Sequence, residues 1–147
     1  MVTGINHITF AVRDLEKAIA FYRDTLGMTL RATWDTGAYL TAGVAWVALN
    51  VDPNEMSEPP NGGSHIAFTV APEEFEAVTE RILRAGAEVW RENRSEGASL
   101  YFTDPDGHKL EIHVSDLAAR LAAMATDPPP GFQAYCEGAG LGKSRPP

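Results

Sequence analysis

The sequence predicts an α+β fold built from two copies of a βαβββ module. A strand-like segment recurs after 58 residues, from His7 to His65, and an amphipathic helical segment follows each copy. The predicted domain covers residues 1–126, with module 1 at about 4–50 and module 2 at about 62–114. An irregular tail rich in glycine and proline is predicted for residues 127–147.

The composition favours a compact cytoplasmic protein. The chain has 147 residues, 44% of them hydrophobic, which is enough to form a core. A net charge of -8 argues against nucleic-acid binding, which requires a basic surface. No apolar run approaches the ~20 residues of a membrane-spanning helix. The chain has one cysteine, so an internal disulfide is impossible and a cytoplasmic location is expected.

The first module begins with a strand in which apolar and polar residues alternate. His7 and Thr9 share one face, and the opposite face carries Ile8, Phe10 and Val12. A helix is predicted from Asp14 to Leu26, with Asp14 as its N-cap and Gly27 just beyond its end. Three strands are predicted to follow, at about Thr29–Asp35, Ala38–Thr41 and Ala45–Asn50.

The second module repeats this order. His65 again lies opposite an apolar face, which is formed by Ile66, Phe68 and Val70. A helix is predicted from Pro72 to Ala85 and ends at Gly86. Three strands are predicted at about Glu88–Glu92, Ser99–Thr103 and Lys109–Val114. A last short helix is predicted at about 116–124.

Two histidines and one carboxylate are candidates for a divalent-metal site. His7 and His65 occupy equivalent positions of the repeat, and Glu111 alternates with apolar residues in the last strand. Two imidazoles and one carboxylate leave coordination positions open, as catalytic sites do. Mn(II), Fe(II), Zn(II) and Ni(II) all suit these donors. Alternatively, each histidine is an ordinary polar residue at the start of a strand.

Other polar residues are more ambiguous when they are considered singly. We interpret His108, which follows a turn signal, and His113, near a strand end, as residues that do not bind the metal. The polar loop between Arg91 and Tyr101 could wrap a monovalent cation or an anion, although an ordinary exposed hairpin is the simpler interpretation. Arg120, in the last helix, has no role that its position alone would assign.

Several segments together resemble a known family, the vicinal-oxygen-chelate superfamily of paired βαβββ modules. Within it, the chain resembles the fosfomycin-resistance glutathione transferases over residues 2–124. The Asn-Arg-Ser-Glu-Gly loop is the most specific of the matching segments. These segments are Gly4–Thr9, Ile19–Tyr22, Trp34–Asp35, Gly37–Leu40, Asn93–Gly97 and Tyr101–His108.

The resemblance implies a Mn(II)-dependent enzyme that inactivates fosfomycin by adding glutathione to its epoxide. It also implies paired, cupped mixed sheets in a domain-swapped homodimer whose metal sites take His7 and His65 from different chains. The residues that match the family's functional positions are Thr9 and Arg120 at the phosphonate, Tyr39 near the thiol, Trp46, Arg91, Ser95 and Tyr101 in the substrate pocket, Asn93, Ser95, Gly97 and Ser99 in a K⁺ loop, and His7, His65 and Glu111 at the metal.

The sequence departs from the family pattern at several positions, and it leaves rival functions to be considered. Arg91 stands where the family usually has a lysine, and Ile66 stands where an aromatic residue is common. The co-substrate could instead be bacillithiol, cysteine or water, although the segment Ala42–Ala45 lacks the carboxylate expected of a hydrolase. An extradiol-type dioxygenase and a non-catalytic drug-binding protein are two more distant rival functions.

Overall fold

The computed structural model describes residues 2–52, 62–94 and 96–135. The chain divides into two compact units, Met1–Val114 and Ser115–Pro147. The first unit holds both βαβββ modules, and the second holds the last helix. Within the described ranges, every helix is too short or too polar to cross a membrane.

Module 1 forms a four-stranded mixed sheet, here called sheet A. Its strands lie in the order β1-β4-β3-β2, with β1 and β4 parallel and the other pairs antiparallel. As the alternation predicts, Phe10 and Val12 are buried, whereas His7 and Thr9 are exposed. The strands are β1 (His7–Val12), β2 (Thr29–Trp34), β3 (Gly37–Ala42) and β4 (Ala45–Val51).

Module 2 forms a second sheet, sheet B, with the same topology. Its order is β5-β8-β7-β6, and its parallel pair is β5 and β8. Leu110 and Phe102 are fully buried on the apolar face. The strands are β5 (Ile66–Thr69), β6 (Val89–Arg91), β7 (Ser99–Thr103) and β8 (Lys109–His113). The predicted fold of two βαβββ modules with mixed sheets is therefore confirmed.

The first helix starts where the sequence predicts but changes its winding halfway. Helix α1 (Leu15–Ala20) is capped by the carboxylate of Asp14, which accepts a hydrogen bond from the Lys17 amide. The residues Phe21–Thr25 then form a π-helical segment. This wider turn accompanies the burial of two consecutive aromatic rings, Phe21 and Tyr22. The structure is therefore helical over nearly the whole predicted range, and its second half is π-helical rather than α-helical.

The other two helices begin differently. A 3₁₀ turn at Pro72–Glu74 precedes α2 (Phe75–Arg84), which buries Val78 and Ile82. In the second unit, α3 (Leu117–Thr126) is capped by Asp116, whose side chain accepts a hydrogen bond from the Ala119 amide. Within the described part of the tail, the residues after α3 up to 135 contain no further helix or strand.

Both modules contribute to one hydrophobic core, and a buried polar cluster joins them as well. The core includes Phe10 and Leu49 from module 1 together with Ile82 and Phe102 from module 2. The polar cluster centres on Asp104, whose carboxylate accepts a hydrogen bond from the Tyr22 hydroxyl at 2.8 Å. Because the apolar faces of both sheets are used in the core, their polar faces are left for binding.

Candidate metal and substrate site

The polar face of sheet B brings His65 and Glu111 together. Glu111 pairs with Ala67 across the parallel strands β5 and β8, and His65 directly precedes β5. The His65 Nε2 and Glu111 Oε2 atoms are 2.8 Å apart. The Glu111 side chain is only 6% exposed and that of His65 23%, so the pair is sheltered from water.

Hydrogen bonds hold Glu111 in its ionised form. Burial alone would raise the pKa of this carboxyl group. Hydrogen bonds from Ser99, His65 and Tyr101, together with the charge of His65, outweigh burial and leave the pKa below its ordinary value. Glu111 therefore presents a carboxylate, which can only accept hydrogen bonds or bind a cation.

The same pair fits a metal ion. The other ring nitrogen of His65, Nδ1, faces the carbonyl oxygen of Gly63, which can only accept, so Nδ1 must carry the hydrogen. Nε2 of His65 is directed at the negatively charged Oε2 of Glu111, and it can either carry a second hydrogen or present a lone pair to a metal ion. At a separation of 2.8 Å, these two atoms need a proton or a metal cation between them. Metal-binding histidines commonly donate their second N–H to an oxygen in this way.

His7 has the same arrangement on sheet A. Its Nδ1 lies 2.7 Å from the side-chain oxygen of Asn6, which leaves Nε2 with the lone pair. Its ring stacks on Trp46 with a centroid separation of 4.2 Å. Among the described residues, however, no three His, Cys, Asp or Glu side chains group to hold a metal. The chain thus presents His7 separately from the pair of His65 and Glu111.

A comparison of equivalent positions in the two modules shows which residue of sheet A stands in the place of Glu111. Thr9 pairs with Ala48 in sheet A, just as Ala67 pairs with Glu111 in sheet B. Position 48 is therefore the counterpart of position 111, and it holds alanine. Sheet A provides one imidazole, whereas sheet B provides an imidazole and a carboxylate.

Aromatic side chains line the polar face of sheet A beside His7. Trp46 lies edge-on to Tyr39, with ring centroids 4.6 Å apart, and Tyr39 lies edge-on to Trp34 at 4.7 Å. Tyr39 and Trp34 are each 40% exposed, so this row is open to a ligand. Thr9, two residues after His7 on the same face, adds an exposed hydroxyl.

Sheet B has a comparable aromatic group next to the pair of His65 and Glu111. The ring centroid of Tyr101 lies 5.4 Å from that of His65, and Trp90 lies 5.6 Å from the same imidazole. The guanidinium of Arg91 is 5.4 Å from the centre of the Tyr101 ring. This places a positive group beside the Glu111 pair, which suits an anionic ligand.

The family model for the Glyoxalase/Bleomycin resistance protein/Dioxygenase superfamily matches residues 4–112. The chain belongs to this superfamily. A curated relative, glutathione transferase FosA of Serratia marcescens, is 52% identical over 134 residues, covering 90% of this chain and 95% of the relative. Metallothiol transferase FosB of Shouchella clausii is 41% identical over 127 residues, covering 83% of this chain and 87% of the relative.

Solved structures of the superfamily agree with this assignment. A mutant of the fosfomycin resistance protein FosX from Listeria monocytogenes, complexed with Mn(II) and 1S,2S-dihydroxypropylphosphonic acid, is 31% identical to this chain. Its TM-score is 0.74, and the match covers 84% of this chain and 98% of that one. The resemblance to fosfomycin-resistance transferases that the sequence indicates is therefore confirmed, and the chain groups with the Fos proteins within the superfamily.

The structure describes most of the predicted cation loop, at residues 93–94 and 96–99. The side-chain nitrogen of Asn93 donates a hydrogen bond to the carbonyl of Gly97 at 2.8 Å. Gly97 has a φ of 78°, a conformation that favours glycine. The hydroxyl of Ser99 donates to Glu111, which links the loop to the pair of His65 and Glu111. Ser95 lies outside the described residues, so its predicted role remains a prediction.

The structure also locates the residues that the sequence left ambiguous. His108 Nδ1 lies 2.7 Å from the buried carboxylate of Asp104, at the other end of β8 from His113. His113 Nδ1 lies 2.6 Å from the Ser99 hydroxyl. Arg120 belongs to α3 in the second unit. The sequence interpretation missed Trp90, although its neighbour Arg91 was selected in the same predicted strand.

Proposed function

We propose that this protein is a metal-dependent thiol transferase that adds glutathione to the epoxide of fosfomycin. The observation that carries the proposal is the sheltered pair of His65 and Glu111, whose Nε2 and Oε2 atoms face each other at 2.8 Å and would both suit a divalent cation. The 52% identity to a glutathione transferase, FosA, supports the choice of reaction and of thiol. We propose Mn(II) as the metal, which is the ion present in the similar FosX complex.

The proposed working unit is a homodimer with two shared metal sites. Each chain offers two incomplete sets of ligands, His7 on sheet A and His65 with Glu111 on sheet B. A two-fold axis that sets sheet A of one chain against sheet B of the other completes both sets at once. The absence of a three-ligand cluster among the described residues of a single chain supports this arrangement.

The reaction itself requires bond exchange at one epoxide carbon. The thiolate sulfur of glutathione forms a C–S bond as the C–O bond breaks, and the released oxygen then takes up a proton. A divalent ion held by His7, His65 and Glu111 would supply positive charge for that oxygen. No protein nucleophile is needed, because the sulfur comes from the co-substrate.

The roles proposed for the protein side chains follow from their charge and exposure. Arg91 and Arg120 would bind the phosphonate as cations, and the exposed hydroxyl of Thr9 would donate a hydrogen bond to it. Tyr39, which is 40% exposed, would donate to the thiolate and stabilise it. Trp46 and Tyr101 would exclude water from the two sides of the pocket.

A monovalent cation is proposed for the loop beside Glu111. The side chains or carbonyl groups of four loop residues would bind K⁺, namely Asn93, Ser95, Gly97 and Ser99. Gly97 has a positive φ, which glycine adopts without strain and which lets the loop turn sharply beside Glu111. The charge of K⁺ would help to balance the phosphonate close to Arg91.

The central experiment measures fosfomycin consumption by ³¹P NMR with purified protein, Mn(II), K⁺ and glutathione. We expect turnover by the wild type and none by Glu111→Ala, because the buried carboxylate of the metal site is lost. Glu76→Ala, which removes an exposed carboxylate on α2, is the matched control and should retain full activity. Equal consumption in the absence of any thiol would refute the transferase assignment and favour addition of water.

The thiol itself is tested by substitution. We expect glutathione to give a higher kcat/KM than bacillithiol or cysteine, in line with the greater identity to FosA than to FosB. The same assay without K⁺ tests the loop, where we expect a lower rate. A preference for bacillithiol would keep the reaction type and reassign the co-substrate.

A further inference from the structure

A short chain of hydrogen bonds supports the far side of the Glu111 carboxylate. The Ser99 Oγ atom lies 2.6 Å from Glu111 Oε1 and 2.6 Å from His113 Nδ1. The geometry of sheet B creates this contact. Ser99 pairs with His113 across β7 and β8, and Glu111 lies two residues before His113 on the same face.

The directions of these hydrogen bonds are fixed by chemistry. A carboxylate can only accept, so the single hydrogen of the Ser99 hydroxyl points at Glu111 Oε1. The nearby Nδ1 of His113 must then donate its own hydrogen to Ser99 Oγ. The side chain of His113 is 14% exposed and that of Glu111 6%, so water has little access to replace these bonds.

The two carboxylate oxygens of Glu111 have different neighbours in this chain of hydrogen bonds. Oε1 is held by Ser99, whereas Oε2 faces Nε2 of His65. We propose that His113, acting through Ser99, is a positioning residue that fixes the rotamer of Glu111 for metal binding. This inference rests on the metal site of the proposed function, and it adds a role for His113 and for the hydroxyl of Ser99.

The repeat provides an internal comparison. In sheet A, the positions equivalent to Ser99 and His113 are the paired residues Gly37 and Asn50. The position equivalent to Glu111 is Ala48. Module 1 therefore lacks the carboxylate, the hydroxyl and the imidazole together. The supporting residues occur in the module that has a carboxylate to support.

Binding of Mn(II) alone tests the role of Ser99, with free Mn(II) measured by electron paramagnetic resonance. Loss of a residue that orients a metal ligand typically weakens metal affinity by about 10–100-fold. We expect a loss in this range for Ser99→Ala and near-normal affinity for Ser99→Thr, which keeps the hydroxyl. Thr103→Ala removes a hydroxyl from the same strand and face, away from Glu111, and should leave the affinity unchanged. Wild-type affinity in Ser99→Ala would overturn the proposal.

A double-mutant comparison tests whether His113 acts through Ser99. We expect His113→Ala to weaken Mn(II) binding, and His113→Asn to restore much of it because an amide N–H can replace Nδ1–H. In the Ser99→Ala background, His113→Ala should cause no further loss. If the loss of Mn(II) affinity from His113→Ala added fully to the loss from Ser99→Ala, His113 would not act through Ser99.

A third measurement does not depend on metal at all. In ¹⁵N NMR of the imidazole groups, His113 should carry its hydrogen on Nδ1 in the wild type and lose this preference in Ser99→Ala. If the wild type bound no divalent metal, the proposed function would fail. This measurement would still show whether His113 donates a hydrogen bond to Ser99. A His113 protonated on Nε2 alone in the metal-free wild type would refute the chain directly.

Discussion

Replacing Tyr22 by phenylalanine tests the link between the two modules. The Tyr22 hydroxyl lies 2.8 Å from Asp104 Oδ2, and the side chain of Asp104 has no exposed surface. A hydrogen bond to a charged group contributes about 1.5–3 kcal/mol, so we expect Tyr22→Phe to lower the free energy of unfolding by about 2 kcal/mol. For a chain of this size, that corresponds to a Tm lower by roughly 4–8 °C.

Thermal and urea unfolding at a fixed protein concentration measure this change, because dimerisation would make stability depend on concentration. Tyr135→Phe is the matched control. Tyr135 is 77% exposed and donates its hydrogen bond to the neighbouring side chain of Gln133, so its loss should change stability by less than about 0.5 kcal/mol. If Tyr22→Phe were no less stable than Tyr135→Phe, the proposed link would be refuted.

Because of the Tyr22 hydroxyl, the free energy of unfolding should depend on pH in the alkaline range. Burial, together with the charge of Asp104, raises the pKa of Tyr22 well above its ordinary value. The folded protein therefore holds this proton at a pH where the unfolded chain releases it. The stability that the folded protein gains from holding this proton is complete below about pH 10, and it is lost as the pH rises further. The difference in stability between the wild type and Tyr22→Phe should accordingly narrow above that pH.

Two further predictions concern the aromatic row of sheet A. A Cβ atom at Gly37 would overlap Cζ2 of Trp34. Gly37→Ala should therefore displace that ring, change the tryptophan fluorescence and lower the free energy of unfolding by about 1–3 kcal/mol. Gly4→Ala, where the added atom meets nothing, is the control, and equal stability of both variants would contradict the packing. Tyr39→Phe should lower kcat/KM for glutathione and move the rising limb of its pH–rate profile to higher pH. An unchanged profile would exclude a role of the Tyr39 hydroxyl in activating the thiol.

The strands could be predicted because their alternation is regular. Phe10, Val12 and Leu110 are buried as expected, and Glu111 faces away from the core beside His65. The π-helical segment could not be predicted, since the partners of its buried residues lie far away in the chain, as Asp104 does from Tyr22. Periodicity along the chain carries no record of such distant partners.

The candidate site was predictable to a similar extent. The repeat and the strand faces select His7, His65 and Glu111, but they do not indicate which of these residues one chain brings together. Nor does the sequence reveal that the hydroxyl of Ser99 bridges Glu111 and His113, because that contact depends on the strand register and on side-chain rotamers. The part of the site on Arg120 and Ser95 rests on the family resemblance.

The shared metal site is tested most directly with a heterodimer of two inactive chains, His7→Ala and Glu111→Ala. The two chains are co-expressed with different tags, and the heterodimer is isolated by purification on both tags. One of its two sites then lacks both His7 and Glu111. The second site is intact, with His7 from the Glu111→Ala chain and His65 with Glu111 from the His7→Ala chain. We expect the heterodimer to consume fosfomycin at about half of the wild-type rate, as one intact site in two implies. A purified heterodimer as inactive as its parent variants would contradict the shared site.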